Sequence, residues 1–267
     1  MKIRLAFIVL IAASLTTIAC GPQTQPQPYN DAVYQYAPIE LLLAGQYDGE
    51  LTVGELRKHG TIGIGTFNRL DGELVMLDGK VWQIKSDGKV YPAGDEMRLP
   101  FAIAAYETYK LWGSAYALPL GAFENFEGLQ AMLDSNTEDY PVIFMARIDG
   151  TFRYVKVRSV PAQDKPYKRL ADAAKGQTVF EYRNISGTIV AFRFPDSTGT
   201  LNVPGWHMHF ISADRKVGGH VLDVQADGSI FRLWGSQNLH LQLPLHSSPL
   251  TTQPAGTAAH ELHMIEK

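Results

Sequence analysis

The chain has 267 residues, 45% of them hydrophobic and 19% charged, with a formal net charge of -3. That is enough apolar chain for one large domain or two small ones, and it excludes a disordered protein. No long Lys/Arg run or basic patch is present, so nucleic acid is not an expected partner, and the mild charge predicts no strong electrostatic steering.

The first expected element is a targeting segment. Met1-Lys2-Ile3-Arg4 is a short basic stretch, residues 5–11 are apolar, and residues 12–19 are mostly small or polar. This is the pattern of a secretory signal over residues 1–19, too short for a stable membrane span. Cys20 follows directly and is the chain's one cysteine, which excludes an intramolecular disulfide framework. Ile18-Ala19-Cys20-Gly21 resembles a bacterial lipobox, although Thr17 stands where an aliphatic residue is usual. The expectation is an exported protein attached to the bacterial cell envelope through a lipid on Cys20. Cleavage without lipidation, giving a secreted protein, is the alternative. Residues 20–32 are Pro- and Gln-rich and read as an extended tether.

The folded body is expected as an N-terminal α/β domain over residues 33–170 and a β-rich domain over residues 171–267. Thr52 and Glu55 have the spacing of a capping box and predict a short helix. Residues 61–67 are Gly-rich and alternate. Residues 73–77 and 80–84 are strand-like runs joined by Asp78-Gly79, a strong hairpin signal. Phe126, Leu129 and Leu133 have helical spacing within residues 122–135. Residues 140–148 and 151–160 read as a second hairpin, closed by Asp149-Gly150. Residues 170–177 predict a short helix, and residues 178–184, 187–194, 229–233 and 239–244 predict strands. The class is α+β (mixed α/β), built on mixed and antiparallel sheets with few helices.

The densest chemistry lies in Gly205-Trp206-His207-Met208-His209-Phe210-Ile211 and Gly218-Gly219-His220-Val221-Leu222, which hold three of the eight histidines. His207 and His209 are two apart and share one face of a strand. Asp214-Arg215-Lys216-Val217-Gly218-Gly219 reads as a hairpin loop, which brings His220 opposite His209. Three converging imidazoles are the donor set of a catalytic zinc or similar metal, with a position open to water or substrate. A single His on a strand is more often a packed, hydrogen-bonded residue. His59, His240 and His246 have no such constellation and read as structural or exposed. Asp71 and Asp78 read as turn residues. Trp206, Phe210, Phe67 and Tyr36 read as core. Asn184-Ile185-Ser186 fits the glycosylation pattern, but a bacterial lipoprotein signal argues against its use.

Several segments, in order along residues 34–267, resemble the bacterial alpha-acetolactate decarboxylase family. They are Gly63-Ile64-Gly65-Thr66-Phe67, Leu70-Asp71-Gly72-Glu73-Leu74, Arg147-Ile148-Asp149-Gly150-Thr151-Phe152 and Val157-Arg158-Ser159-Val160-Pro161. Lys165-Pro166-Tyr167, Asn184-Ile185-Ser186-Gly187-Thr188-Ile189-Val190-Ala191-Phe192 and the histidine hairpin complete them. The resemblance implies decarboxylation of (S)-2-acetolactate to (R)-acetoin and carbon dioxide. It also implies a two-domain protein with Zn2+ between the domains, and a homodimer.

The resemblance further implies His207, His209 and His220 as metal ligands. Arg158 is then the arginine that holds the substrate carboxylate or helps deliver a proton, with Arg147 as the nearest competitor. Glu73 is the glutamate that orients water or moves a proton, and Thr66 a hydrogen-bonding partner of substrate. A glutamate from the C-terminal end also belongs at the metal; Glu266 fits the spacing better than Glu261, and both stay open. His260 and His263 flank Glu261 and are not expected as ligands. Two other readings compete: another three-His metalloenzyme, either a hydrolase or a cupin-like dioxygenase, and a non-catalytic envelope lipoprotein that only binds a ligand.

Overall fold

The computed structural model of the chain describes residues 31–107, 117–137 and 140–246. The signal segment, Cys20, most of the tether, His260, Glu261, His263 and Glu266 lie outside the described residues. In chain order the strands are β1 (Val33–Tyr36), β2 (Leu51–Thr52), β3 (Ile62–Thr66), β4 (Glu73–Leu77), β5 (Lys80–Ile84), β6 (Val90–Pro92), β7 (Arg98–Leu99) and β8 (Phe101–Ala105). They continue as β9 (Leu118–Leu120), β10 (Ile143–Ser159), β11 (Thr178–Phe194), β12 (Gly205–Ser212), β13 (Gly218–Gln225), β14 (Ser229–Ser236) and β15 (Leu239–Gln242). The short helices are α1 (Ile39–Leu43), α2 (Val53–Leu56), α3 (Phe126–Asp134) and α4 (Leu170–Ala173).

Local chemistry explains several of these. Thr52 and Glu55 form both halves of the expected capping box at α2. Asn125 caps α3, whose Leu129 and Leu133 are fully buried. Asp78 and Gly79 have φ of 52° and 71°, and Leu77 pairs with Lys80, as a two-residue hairpin requires.

One expected turn is absent. Residues 143–159 form a single strand that runs straight through Asp149-Gly150, and its partner β11 is equally long. The two pair antiparallel from Phe144↔Arg193 to Ser159↔Thr178. Asp149 accepts from Thr188 Oγ1 on β11 at 2.7 Å and from Arg232 Nη1 on β14 at 3.0 Å. Gly150 pairs with Gly187 on one side and Ser229 on the other. Both edges of the dipeptide are filled by neighbours, which leaves no free edge on which the chain could fold back.

The strands build two main sheets. The first has the order β15-β1-β8-β3-β4-β5-β6, with β1 and β15 parallel and the rest antiparallel. The second has the order β11-β12-β13-β10-β14-β9, and β11 also pairs with β10, so four strands close on themselves. Strands β9 and β10 belong to the second sheet, whereas β15 returns to the first, so sheet membership does not follow a division of the chain at residue 170.

The main core lies between the sheets. Ile62, Ile64, Val75 and Leu77 of the first sheet meet Met145, Val190, Phe192 and Ile211 of the second. The opposite face of the second sheet packs Trp206, Met208, Phe210, Phe144 and Val157 with α3. The opposite face of the first packs Leu74, Met76 and Ala102 against α2. Period-two alternation therefore assigns faces. On β12 the even-numbered apolar residues turn away, and His207 and His209 share the parity of Ile211, toward the space between the sheets.

Candidate metal and active site

The site occupies that inter-sheet space. His209 and His220 are register partners across β12 and β13, and Arg158 is the partner of His220 across β13 and β10. A row of three site residues thus crosses the second sheet. On the first sheet Thr66 and Glu73 are partners across β3 and β4. All of them line one pocket.

The three histidines are buried, and one ligand atom of each lies within 4.8 Å of the others. His207 Nε2 stands 3.2 Å from His209 Nε2 and 3.1 Å from His220 Nδ1. Two nitrogens about 2.05 Å from one tetrahedral zinc stand about 3.3 Å apart, so the spacing suits such an ion. His209 Nδ1 donates to Leu74 O at 2.8 Å, which fixes its tautomer and leaves the Nε2 lone pair facing the other rings. Burial, with help from the Arg158 charge, pushes His207 down to about 3. Burial first, then neighbouring positive charge, holds His209 and His220 well below the usual histidine range. Neutral imidazoles with converging lone pairs could hold a metal ion at neutral pH.

Glu73 Oε2 is 3.6 Å from His209 Nε2, and Glu73 Oε1 is 3.5 Å from Arg158 Nη1. Both side chains are buried. The chain reaches Glu73 through an unusual approach: Arg69, Leu70 and Gly72 have φ of 66°, 56° and 81°. Left-handed conformations at two non-glycine residues cost about 1–3 kcal/mol each and persist only where surroundings impose them. Thr66 Oγ1 donates to Gly72 O at 2.7 Å, so its proton is committed to this turn and its lone pairs stay available as acceptors. Opposite the polar groups, Ile39, Leu42, Leu70, Phe101, Val160 and Leu170 form an apolar wall.

The structure brings together His207, His209, His220, Glu73, Arg158 and Thr66. It does not bring Arg147 there: Arg147 holds Asp78 at 2.6 Å and Asp149 at 3.0 Å, pinning the β4–β5 turn to the second sheet. His59 stacks on Tyr34 at 3.7 Å with His240 edge-on to the same ring, and His246 pairs with Glu50. Trp206, Phe210, Phe67 and Tyr36 are core residues. Asp71 sits in the turn before β4 and pairs with Lys85 at 2.9 Å. Sequence reasoning missed the Leu74 carbonyl and most of the apolar wall. A backbone acceptor carries no residue-type signal, and the wall is collected from α1, β8, α4 and two loops.

Comparisons with known proteins show the family. Residues 33–253 match the family model described as alpha-acetolactate decarboxylase. An alpha-acetolactate decarboxylase of Methanosarcina mazei is 41% identical over 242 residues, covering 89% of this chain and 81% of the relative. One from Bacillus licheniformis is 40% identical, covering 82% of this chain and 85% of its own. The crystal structure of alpha-acetolactate decarboxylase from Bacillus subtilis strain 168 superposes with a TM-score of 0.81 at 32% identity, covering 88% of this chain and 99% of that one.

Proposed function

Since the chain belongs to the alpha-acetolactate decarboxylase family, a family of carboxy-lyases, we propose that it converts (S)-2-acetolactate to (R)-acetoin and carbon dioxide. The observation that carries this reading is the convergence of three buried histidines, Glu73 and Arg158 on one pocket. His207, His209 and His220 would hold the metal, and zinc suits a neutral three-imidazole set that needs no redox chemistry. When bound, it supplies a Lewis acid for the substrate's hydroxyl and ketone oxygens.

The remaining work falls to the chain. Arg158 binds the substrate carboxylate through its paired N–H donors and orients it for departure. Breaking the carbon–carboxyl bond leaves an electron pair that moves onto the neighbouring ketone oxygen, giving an enediolate. Glu73, beside both Arg158 and His209, holds the proton that then reaches the former carboxyl-bearing carbon. Thr66 offers lone pairs to the substrate hydroxyl. The apolar wall receives the two methyl groups and excludes bulk water, which strengthens every charge interaction inside. A glutamate from the C-terminal end, Glu266 or Glu261, joins the site in this reading, supported by the family pattern alone.

Acetoin production from racemic acetolactate tests the proposal. Rapid formation that a chelator abolishes and zinc restores is the expected result. A folded, zinc-loaded protein that makes no acetoin above the spontaneous rate would overturn it. The same reading includes export with a lipid on Cys20, supported by the pattern of residues 1–21, and a homodimer. Protein found only in the cytoplasmic fraction, without acyl mass, would sink the envelope assignment. A monomeric mass in solution would sink the dimer.

A further inference from the structure

Arg158 and Glu73 approach each other from different sheets, and a pair of reciprocal hydrogen bonds sets their spacing. Ser159 is fully buried and donates its hydroxyl to Ile84 O at 2.9 Å. Ile84 is the register partner of Glu73 across β4 and β5. In the other direction, Gly72 N–H donates to Val160 O at 3.1 Å. The residue after Arg158 therefore grips the strand partner of Glu73, and the residue before Glu73 grips the chain just beyond Ser159. Gly72 belongs to the same contact, because a Cβ at that position would collide with Ile84 O, the carbonyl that accepts from Ser159. Arg158 is also the last β10 residue paired with β13, so the ladder on that side stops where the clasp begins.

We propose that Ser159 is a positioning residue for the decarboxylation, fixing the Arg158 guanidinium relative to Glu73 through its bond to Ile84 O. The inference rests on the decarboxylase reading above. Loss of the hydroxyl frees the end of β10 from the first sheet, while the histidine hairpin of β12 and β13 keeps its own pairing and its ladder to β11. A displacement near 1 Å at a substrate-holding group costs as much as roughly 100-fold in rate.

The experiment uses the full-length, metal-loaded enzyme with Ser159→Ala and Ser159→Thr, each alone and with Arg158→Lys. In Ser159→Ala, kcat is expected to fall about tenfold and KM to rise, with metal content unchanged. Ser159→Thr keeps the hydroxyl and restores most of the loss. In the Arg158→Lys background, Ser159→Ala should cost less than about twofold, because residues acting as one unit are not additive. Unchanged kcat and KM in Ser159→Ala, an undiminished tenfold loss beside Arg158→Lys, or loss of metal would each overturn the assignment. Should Ser159→Ala fail to fold, Ser159→Cys gives the same comparison with a weakened donor of similar size. A wild-type enzyme that makes no acetoin sinks the decarboxylase reading itself, whereas an active wild type indifferent to Ser159 sinks only this one.

Discussion

The two halves of the site are built by different means. The second sheet contributes His207, His209, His220 and Arg158 from paired strands, where register alone sets His209 beside His220 and His220 beside Arg158. The first sheet contributes Glu73 and Thr66, register partners at the ends of β4 and β3, at the mouth of a strained turn tied by bonds from Thr66 to Gly72 O and from Gly72 to Val160 O. The proposed metal donor set tolerates little movement and sits on the ladder. Glu73, the proposed proton carrier, sits where a turn can place it close to Arg158 and His209. The contrast teaches that the histidines sit within regular ladders, whereas Glu73 sits where a ladder begins at an irregular turn that the fold has to support.

Substitutions can separate the halves. His209→Ala has the largest expected effect, a loss of at least about 1,000-fold in kcat/KM together with loss of bound metal. Metal analysis beside the rate measurement checks this, and full metal occupancy in the variant would mean that the hairpin is not the donor set. Glu73→Gln is expected to lower kcat roughly 100- to 1,000-fold with metal stoichiometry intact. If that variant also loses its metal, the division into a binding half and a proton-handling half fails. Thr66→Val, which removes the donor to Gly72 O, should cost about tenfold in kcat through a displaced Glu73, again without metal loss.

The metal-free protein offers a pH test of the ladder half. Burial holds His207 at about 3 and His209 and His220 well below the ordinary histidine value, while the unfolded chain titrates near about 6.5. Below that value the unfolded state binds protons that the folded state refuses. Stability should therefore fall as pH drops from about 6.5 toward about 3, and be flat above about pH 7. Thermal melts of the apoprotein across this range measure it; a Tm that is unchanged between pH 7 and 5 would contradict the buried, neutral assignment. The smallest expected effect lies at the β4–β5 turn. Gly79→Ala places a side chain at φ 71° with open space around it, so strain alone should cost about 1 kcal/mol and leave kcat unaltered.

Two Asp-Gly dipeptides show why part of the fold was legible and part was not. Asp78-Gly79 makes the turn its sequence predicts, because no neighbouring strand pairs with residues 78 and 79 themselves. Asp149-Gly150 carries the same local signal and lies mid-strand, because β11 and β14 occupy both edges and Arg147, Thr188 and Arg232 satisfy the aspartate. The propensity of a dipeptide is worth about 1 kcal/mol, less than a filled ladder on two sides. Likewise the expected break between residues 184 and 187 is absent from β11: Asn184 adopts φ 51° and the strand continues.

Short-range pattern was sufficient for the capping box at Thr52, the α3 helix and the histidine hairpin, including the His209–His220 pairing. Each depends on spacing within a few turns or one hairpin, where chain connectivity leaves few alternatives. Glu73, Arg158 and Thr66 stood out only through family-like motifs, since an isolated carboxylate or guanidinium on a strand has no distinguishing local signal. Tertiary structure alone decided that Glu73 meets Arg158 across the two sheets and that Leu74 O orients His209. It also decided that β15 returns to pair with β1. Contacts of that kind join residues far apart in the chain and depend on which sheets pack face to face. That choice is made by the whole apolar inter-sheet core and by no single segment of it.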